Sequence, residues 1–243
     1  MIQSLNHQEF QLRTRHARQE DRGFFRGGVK KMPLKFQFLD KIIEKEHPTN
    51  LEFNSPSVGI LSQRFVGPGK CQILDLGAPV QSNLAFFSDS SCRFYVEDLY
   101  RFFIAPQEGR KNKDDEDDDV ASTIADALDY EETARFDLVL GWDLFSYMDR
   151  GAIELLMARV AGSCRTGTLL FLTVSTGSMI PSAPAWITMT HGGRLRYRSA
   201  IDPRSIPNPH VSPAALERMM PGFRLLHSFL LGEEMQEFLF SYA

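Results

Sequence analysis

Cysteine is scarce, with three residues in 243, and no C-x-x-C pair is present, so a structural zinc framework is not expected. Cys71, Cys92 and Cys164 stand far apart. Cys71 and Cys92 border predicted strands and read as small core residues rather than reactive thiols. A reducing, cytoplasmic setting fits this usage. No apolar run reaches the roughly 18 residues that suggest a membrane span, and the N-terminus lacks the apolar stretch of a signal peptide. Neither sign of charge dominates: 27 Lys and Arg against 31 Asp and Glu give a net charge of -4. That balance argues against a nucleic-acid binder as a whole. Glycine is missing where a nucleotide-type loop would offer it. The stretch after Gly77 reads Ala78-Pro79-Val80-Gln81-Ser82-Asn83.

What is present can build a sizeable core, since 43% of the residues are hydrophobic. The chain is organised around Ile73-Leu74-Asp75-Leu76-Gly77. A short apolar run closed by an acid and a glycine reads as a buried parallel strand entering a turn. Without a Cβ, Gly77 lets a ligand approach the backbone. Cys92–Val96 is a second strand, ending in Glu97-Asp98. An acid here, about 20 residues past the glycine turn, can accept hydrogen bonds from a ribose diol. One of the pair can also cap the helix expected over Leu99–Ile104.

Phe136–Gly141 is the strongest strand after the first, and it runs into Trp142-Asp143. Asp143 has two readings: a carboxylate that orients or deprotonates a ligand group, or the cap of a helix over Leu144–Met148. Helical spacing marks Leu34–Glu46, a segment from Pro56 to Phe65 behind the cap Asn54-Ser55, Val120–Tyr130, and Ile153–Ala161. Leu84–Phe87 is the helix expected after the Gly77 loop. Gly167-Thr168 opens an apolar strand over Leu169–Val174, and Ser212-Pro213 caps a helix over Ala214–Met220. Phe223–Leu231 and Met235–Tyr242 flank Gly232-Glu233-Glu234, a hairpin signal.

Residues 178–212 are rich in proline and lack a clear period, so they read as an insertion or lid. Within it, Ala185–Thr190 and Arg194–Tyr197 can pair around His191-Gly192-Gly193. Its histidines, His191 and His210, can serve as bases but are ordinarily solvated; His227 reads as structural. Residues 108–119 are a charged surface loop without the ligand spacing of a calcium site, so no metal is expected. Residues 1–31 are basic and read as a tail, or as an arm for an anionic protein partner. The expected division is a tail and helix over 1–54, then one α/β domain over 55–243.

Taken in order, these motifs resemble the class I (Rossmann-like) S-adenosylmethionine-dependent methyltransferases. The resemblance rests on Asp75-Leu76-Gly77 after an apolar strand, the acid after the second strand, and Phe136-Asp137-Leu138-Val139. Gly167-Thr168-Leu169-Leu170, Pro221-Gly222-Phe223 and the final hairpin complete it. It spans roughly residues 55–243 and departs from the family at the glycine-poor loop and at the acidic run that stands where a third strand belongs. It implies a three-layer α/β sandwich with a mostly parallel sheet of six to seven strands and a C-terminal antiparallel hairpin. S-adenosylmethionine would bind over the carboxyl ends of the first strands. Asp75, Gly77 and Ala78 would touch its methionine part, Glu97 or Asp98 its ribose, and Asp126 its adenine. Trp142 would lie beside the reactive methyl group, and Asp143 would be the catalytic residue. The acceptor would be a small molecule or a protein. The alternative is a methyltransferase-like binding or scaffold subunit without activity. A nucleotide-linked dehydrogenase fits the terminal hairpin badly.

Overall fold

The structure, a computed structural model, describes residues 50–103, 116–198, 204–209, 211–232 and 234–243. The basic segment 1–31, Met32, the helix expected over Leu34–Glu46, most of the acidic run and His210 lie outside the described residues.

Six strands form the central sheet. They are β2 (Lys70–Asp75), β3 (Ser91–Val96), β4 (Phe136–Trp142), β5 (Cys164–Ser175), β10 (Phe223–Leu231) and β11 (Met235–Tyr242). Their order is β10-β11-β5-β4-β2-β3. β3, β2, β4 and β5 are parallel, while β11 is antiparallel to both β5 and β10. This is the sheet the resemblance implies, with six strands. Among the described residues no strand stands between β3 and β4; that stretch holds helices α3 (Tyr100–Phe103) and α4 (Glu116–Ala127).

Strand alternation divides the core between the two faces of the sheet. Leu74, Val139, Leu170 and Phe238 point to one side, where α4, α5 (Arg150–Ala161) and α6 (Pro213–Met219) cover them. Ile73, Leu138, Phe171 and Leu239 point to the other, under α1 (Pro56–Phe65), α2 (Gln81–Phe86) and a small sheet. That small sheet orders β1 (Asn50–Asn54), β8 (Arg194–Arg198) and β7 (Trp186–Thr190) as β1-β8-β7. The β7–β8 hairpin turns at the expected His191-Gly192-Gly193, and Asn50–Asn54 pairs with Arg194–Arg198. β6 (Met179–Pro181) and β9 (Ser205–Pro207) pair beside it. Among its described residues the proline-rich insertion thus carries four paired strands, whose ladders satisfy backbone groups that a buried loop would leave open.

Two of the expected caps form at proline-led helices. Ser55 accepts from the Val58 N–H with Pro56 in the first turn, and Ser212 accepts from the Ala215 N–H with Pro213 likewise. Ser55 also donates to Glu237, fully buried on β11, which accepts from the Ser57 N–H at 2.9 Å. One carboxylate thus ties the start of α1 to the central sheet.

The structure corrects the reading of two cysteines. Parallel pairing sets Cys71 opposite Cys92 on β2 and β3, with Cα atoms 4.4 Å apart, and the two form a disulfide. That Cα separation is one a disulfide can span, and strand register, invisible in sequence spacing, is what brings them together. Cys164 is free and buried.

Candidate functional site

The carboxyl ends of β2, β3 and β4 converge on one edge of the sheet, as parallel strands require. The Leu76 N–H donates to Leu140 O at 2.9 Å, so pairing to β4 continues one residue past Asp75 before the chain turns. Asp75 is buried there, and its Oδ1 accepts from the Gly77 N–H at 2.9 Å and from the Trp142 indole N–H at 2.6 Å. Burial outweighs both bonds and pushes the carboxyl up to about 7, with the nearby charge of Asp98 adding a smaller push.

Trp142 holds a left-handed backbone conformation, φ 49°. A bulky residue adopts it at a cost of order 1–3 kcal/mol. A register shift in β4 between Leu140 and Trp142 accompanies it. The indole packs edge-on against Phe171 and lies over Gly77. A Cβ on Gly77 would stand 2.4 Å from the Trp142 Cδ1. Glycine is required at 77 because an indole covers the backbone.

Of the two acids after β3, only Asp98 reaches the edge of the sheet. Glu97 is buried, its N–H donating to Asp75 O at 2.8 Å, and it does not line the cavity described below. Asp98 is half-buried. Burial raises its carboxyl, against the lowering effect of the Arg101 charge and of the Arg101 and Tyr100 N–H groups. Those N–H contacts are the capping use. Yet Asp98 Oδ1 is buried with no hydrogen-bond partner, an open acceptor that ordinarily finds one.

Asp98 also lines a cavity of about 300 Å³, among others with Ala78, Tyr100, Trp142, Ala185 and Trp186. The volume is at the lower end of the range for small-molecule sites. Asp126 does not line this cavity. It lies on the exposed face of α4, because the helical repeat turns Ile124, Ala127 and Leu128 into the core. His191 is exposed and stacks on Phe86, and His227 is exposed on β10.

Asp143 is buried. It is the first residue of the turn before the short 3-10 helix Leu144–Tyr147, but its side chain makes no cap bond. It accepts instead from the Tyr100 hydroxyl. Burial pushes its carboxyl up to about 6, against the lowering effects of the Tyr100 hydroxyl, its own N–H and the Ala185 N–H. Asp143 lines a second cavity of about 460 Å³ together with Phe53, Tyr147, Tyr197, Met235 and Glu234. Tyr100 and Ala185 line the first cavity and both interact with Asp143, which lines the second. The two cavities therefore share a wall of three residues.

The structure brings Ala78, Asp98 and Trp142 to the first cavity and Asp143 to the second, with Asp75 and Gly77 beneath the Trp142 indole. Sequence reasoning missed Tyr100, although that tyrosine follows Asp98 by two positions at the carboxyl end of a strand. It also missed the second cavity, whose wall draws on Tyr197, Phe53 and Glu234 from three distant elements.

No family model and no curated protein sequence matches the chain. Among solved structures, it is similar to the 1,6-didemethyltoxoflavin-N1-methyltransferase of Burkholderia thailandensis, crystallised with 1,6-didemethyltoxoflavin and S-adenosylhomocysteine. Identity is 17% and the TM-score 0.44, over 86% of this chain and 87% of that one. It is also similar to an S-adenosylmethionine-dependent methyltransferase from Clostridium acetobutylicum, with 9% identity and a TM-score of 0.44 over 86% of this chain and 98% of that one. A TehB-like methyltransferase from Corynebacterium glutamicum gives 10% identity and a TM-score of 0.42, over 86% and 96% of the two chains.

Proposed function

We propose that the chain is an S-adenosylmethionine-dependent methyltransferase. The observation that carries the proposal is Asp98, which lines a cavity at the carboxyl ends of parallel strands and keeps a buried Oδ1 without a partner. A ribose hydroxyl supplies the donor that this oxygen lacks. Gly77 and Ala78 would follow the methionine part along the turn, and Trp142 and Trp186 would contribute apolar walls. When bound, the cofactor supplies a sulfonium-activated methyl group. Most of the acceleration then comes from holding an acceptor in line. Asp143, placed between the two cavities and titrating at about 6, so mostly ionised at neutral pH, would orient the acceptor or take its proton. The second cavity would hold the acceptor.

One observation favours the other reading, a binding or scaffold subunit without activity. The Trp142 indole already lies over Gly77 and occupies Asp75, where a cofactor's amino-acid end would be received. Calorimetric titration with S-adenosylmethionine separates the two. Micromolar binding that weakens at least tenfold in Asp98→Asn supports the enzyme; no binding at millimolar cofactor to well-folded protein supports the scaffold. The division of the chain also belongs here: we read residues 55–243, joined by the paired strand β1, as one catalytic domain and the basic segment 1–31 as an arm for a protein partner.

A further inference from the structure

We infer that the second cavity takes a hydrophobic amine, held as its ammonium ion against Asp143. The inference deepens the methyltransferase reading by naming the acceptor class, and it depends on that reading only for what happens to the amine once bound.

Charge makes the first argument. Two carboxylates line the cavity, Asp143 buried in its wall and Glu234 exposed. No Lys, Arg or His lines it among the described residues. A low-dielectric cavity bearing one sign of charge concentrates ligands of the other. Among the described residues Asp143 has neutral partners, the Tyr100 hydroxyl and the Ala185 N–H. A buried carboxylate without a cation is costly, and an ammonium ion supplies the missing counter-charge.

The walls make the second. Phe53, Tyr147 and Tyr197 line the same space as the two acids. Aromatic faces attract cations through their quadrupoles, and more strongly when water is excluded. Met179, Ile180, Leu231 and Met235 complete an apolar lining that a small, fully hydrated cation would not use. Carboxylate, aromatic faces and aliphatic wall together select a cation carrying an apolar body. A neutral alcohol of the same shape would gain the wall but not the charge. A carboxylic acid would meet repulsion from both acids.

The groups facing Asp143 agree with this. Burial first, then the charges of Asp143 and Glu234, push the Tyr197 hydroxyl up to about 12, so both acids act on one wall of the cavity. Tyr147 is likewise raised by burial and by Asp143. These tyrosines stay neutral and offer aromatic faces, while the Tyr147 hydroxyl donates to Ala183 O.

The test compares 2-phenylethylamine with 2-phenylethanol, two probes of matched shape, by calorimetric titration of the full chain at neutral pH without cofactor. The amine is expected to bind at least about tenfold more tightly. Asp143→Asn is expected to reduce that preference to about threefold or less while leaving the alcohol unchanged. Equal affinity for the two probes, no amine binding at millimolar concentration, or a preference that survives Asp143→Asn would overturn the inference. Should circular dichroism show Asp143→Asn unfolded, Glu234→Gln replaces it. Its expected effect is a two- to threefold loss of preference, and no change counts against the inference. S-adenosylhomocysteine is titrated in parallel. Cofactor binding without amine preference sinks the amine assignment and leaves the methyltransferase reading standing. Amine preference without cofactor binding does the reverse.

Discussion

The hydroxyl of Tyr100 donates to the buried carboxylate of Asp143 across 43 residues of sequence, and the contact forms part of the wall between two cavities. Tyr100→Phe removes the donor and keeps the ring. The loss should be about 1.5–3 kcal/mol, the range for hydrogen bonds to charged groups. It should be larger at pH 8 than at pH 5, because the bond favours ionised Asp143 and that carboxyl titrates at about 6. Urea unfolding at the two pH values measures it. An equal loss at both would show that the hydroxyl does not stabilise the ionised form.

Asp75 gives a pH dependence of definite sign. Its carboxyl is raised from the ordinary 3.8 to about 7, so its contribution to stability is greatest below pH 3.8 and is lost as pH rises through 7. At 1.36 kcal/mol for each pH unit of that gap the loss has an upper bound of about 4 kcal/mol. Asp75→Asn keeps a carbonyl for the Gly77 and Trp142 donors and carries no charge. It should flatten the decline in unfolding free energy between pH 5 and pH 8. A decline as steep in the variant as in the parent would assign the pH dependence elsewhere.

Much of this was legible before any coordinates. Ile73–Gly77 announces a buried strand and turn by composition alone, and the hairpin around Gly232 follows from turn chemistry. Helical phase is legible too: with Ile124, Ala127 and Leu128 inward, Asp126 faces solvent. Glu97 and Asp98 are adjacent, and which of them reaches the cavity depends on where the strand stops alternating, which composition does not mark. Register is the deeper barrier. Nothing in the spacing of Cys71 and Cys92, or of Tyr100 and Asp143, announces contact, because both pairs meet only once separate strands are aligned.

The disulfide offers a chemical test. The unreduced, denatured chain should titrate one thiol, Cys164, and the reduced chain all three. The bond closes a loop with a sequence separation of 21, for which chain entropy suggests about 3 kcal/mol. Reduction should therefore lower the thermal midpoint measurably. Three free thiols in the unreduced protein would mean that the two strands meet without the bond.

Glu237 tests the junction between α1 and the sheet. It is fully buried and takes donors from Ser55 and from the Ser57 N–H. Glu237→Gln keeps one acceptor oxygen and presents an amide donor where the second stood. Glu237→Ala leaves both donors buried without a partner and should cost more, by about 1–3 kcal/mol. Equal stability of the two variants would show that the carboxylate does not anchor the helix.

The chain has only two tryptophans, Trp142 and Trp186, and both line the first cavity. Its indole emission therefore reports on that cavity. Under the methyltransferase reading, S-adenosylhomocysteine should change the emission in a saturable way. Trp186→Phe isolates the response of Trp142. If the ligand displaces that indole from Gly77 and Asp75, its emission should move to longer wavelength as it gains water. If the indole stays as a wall, intensity should change with little shift. Asp98→Asn should weaken the titration by about tenfold to a hundredfold, as loss of a charged hydrogen-bond acceptor would. Unaltered emission at saturating ligand would place the ligand outside the cavity or show that none binds, and calorimetry on the same sample distinguishes the two.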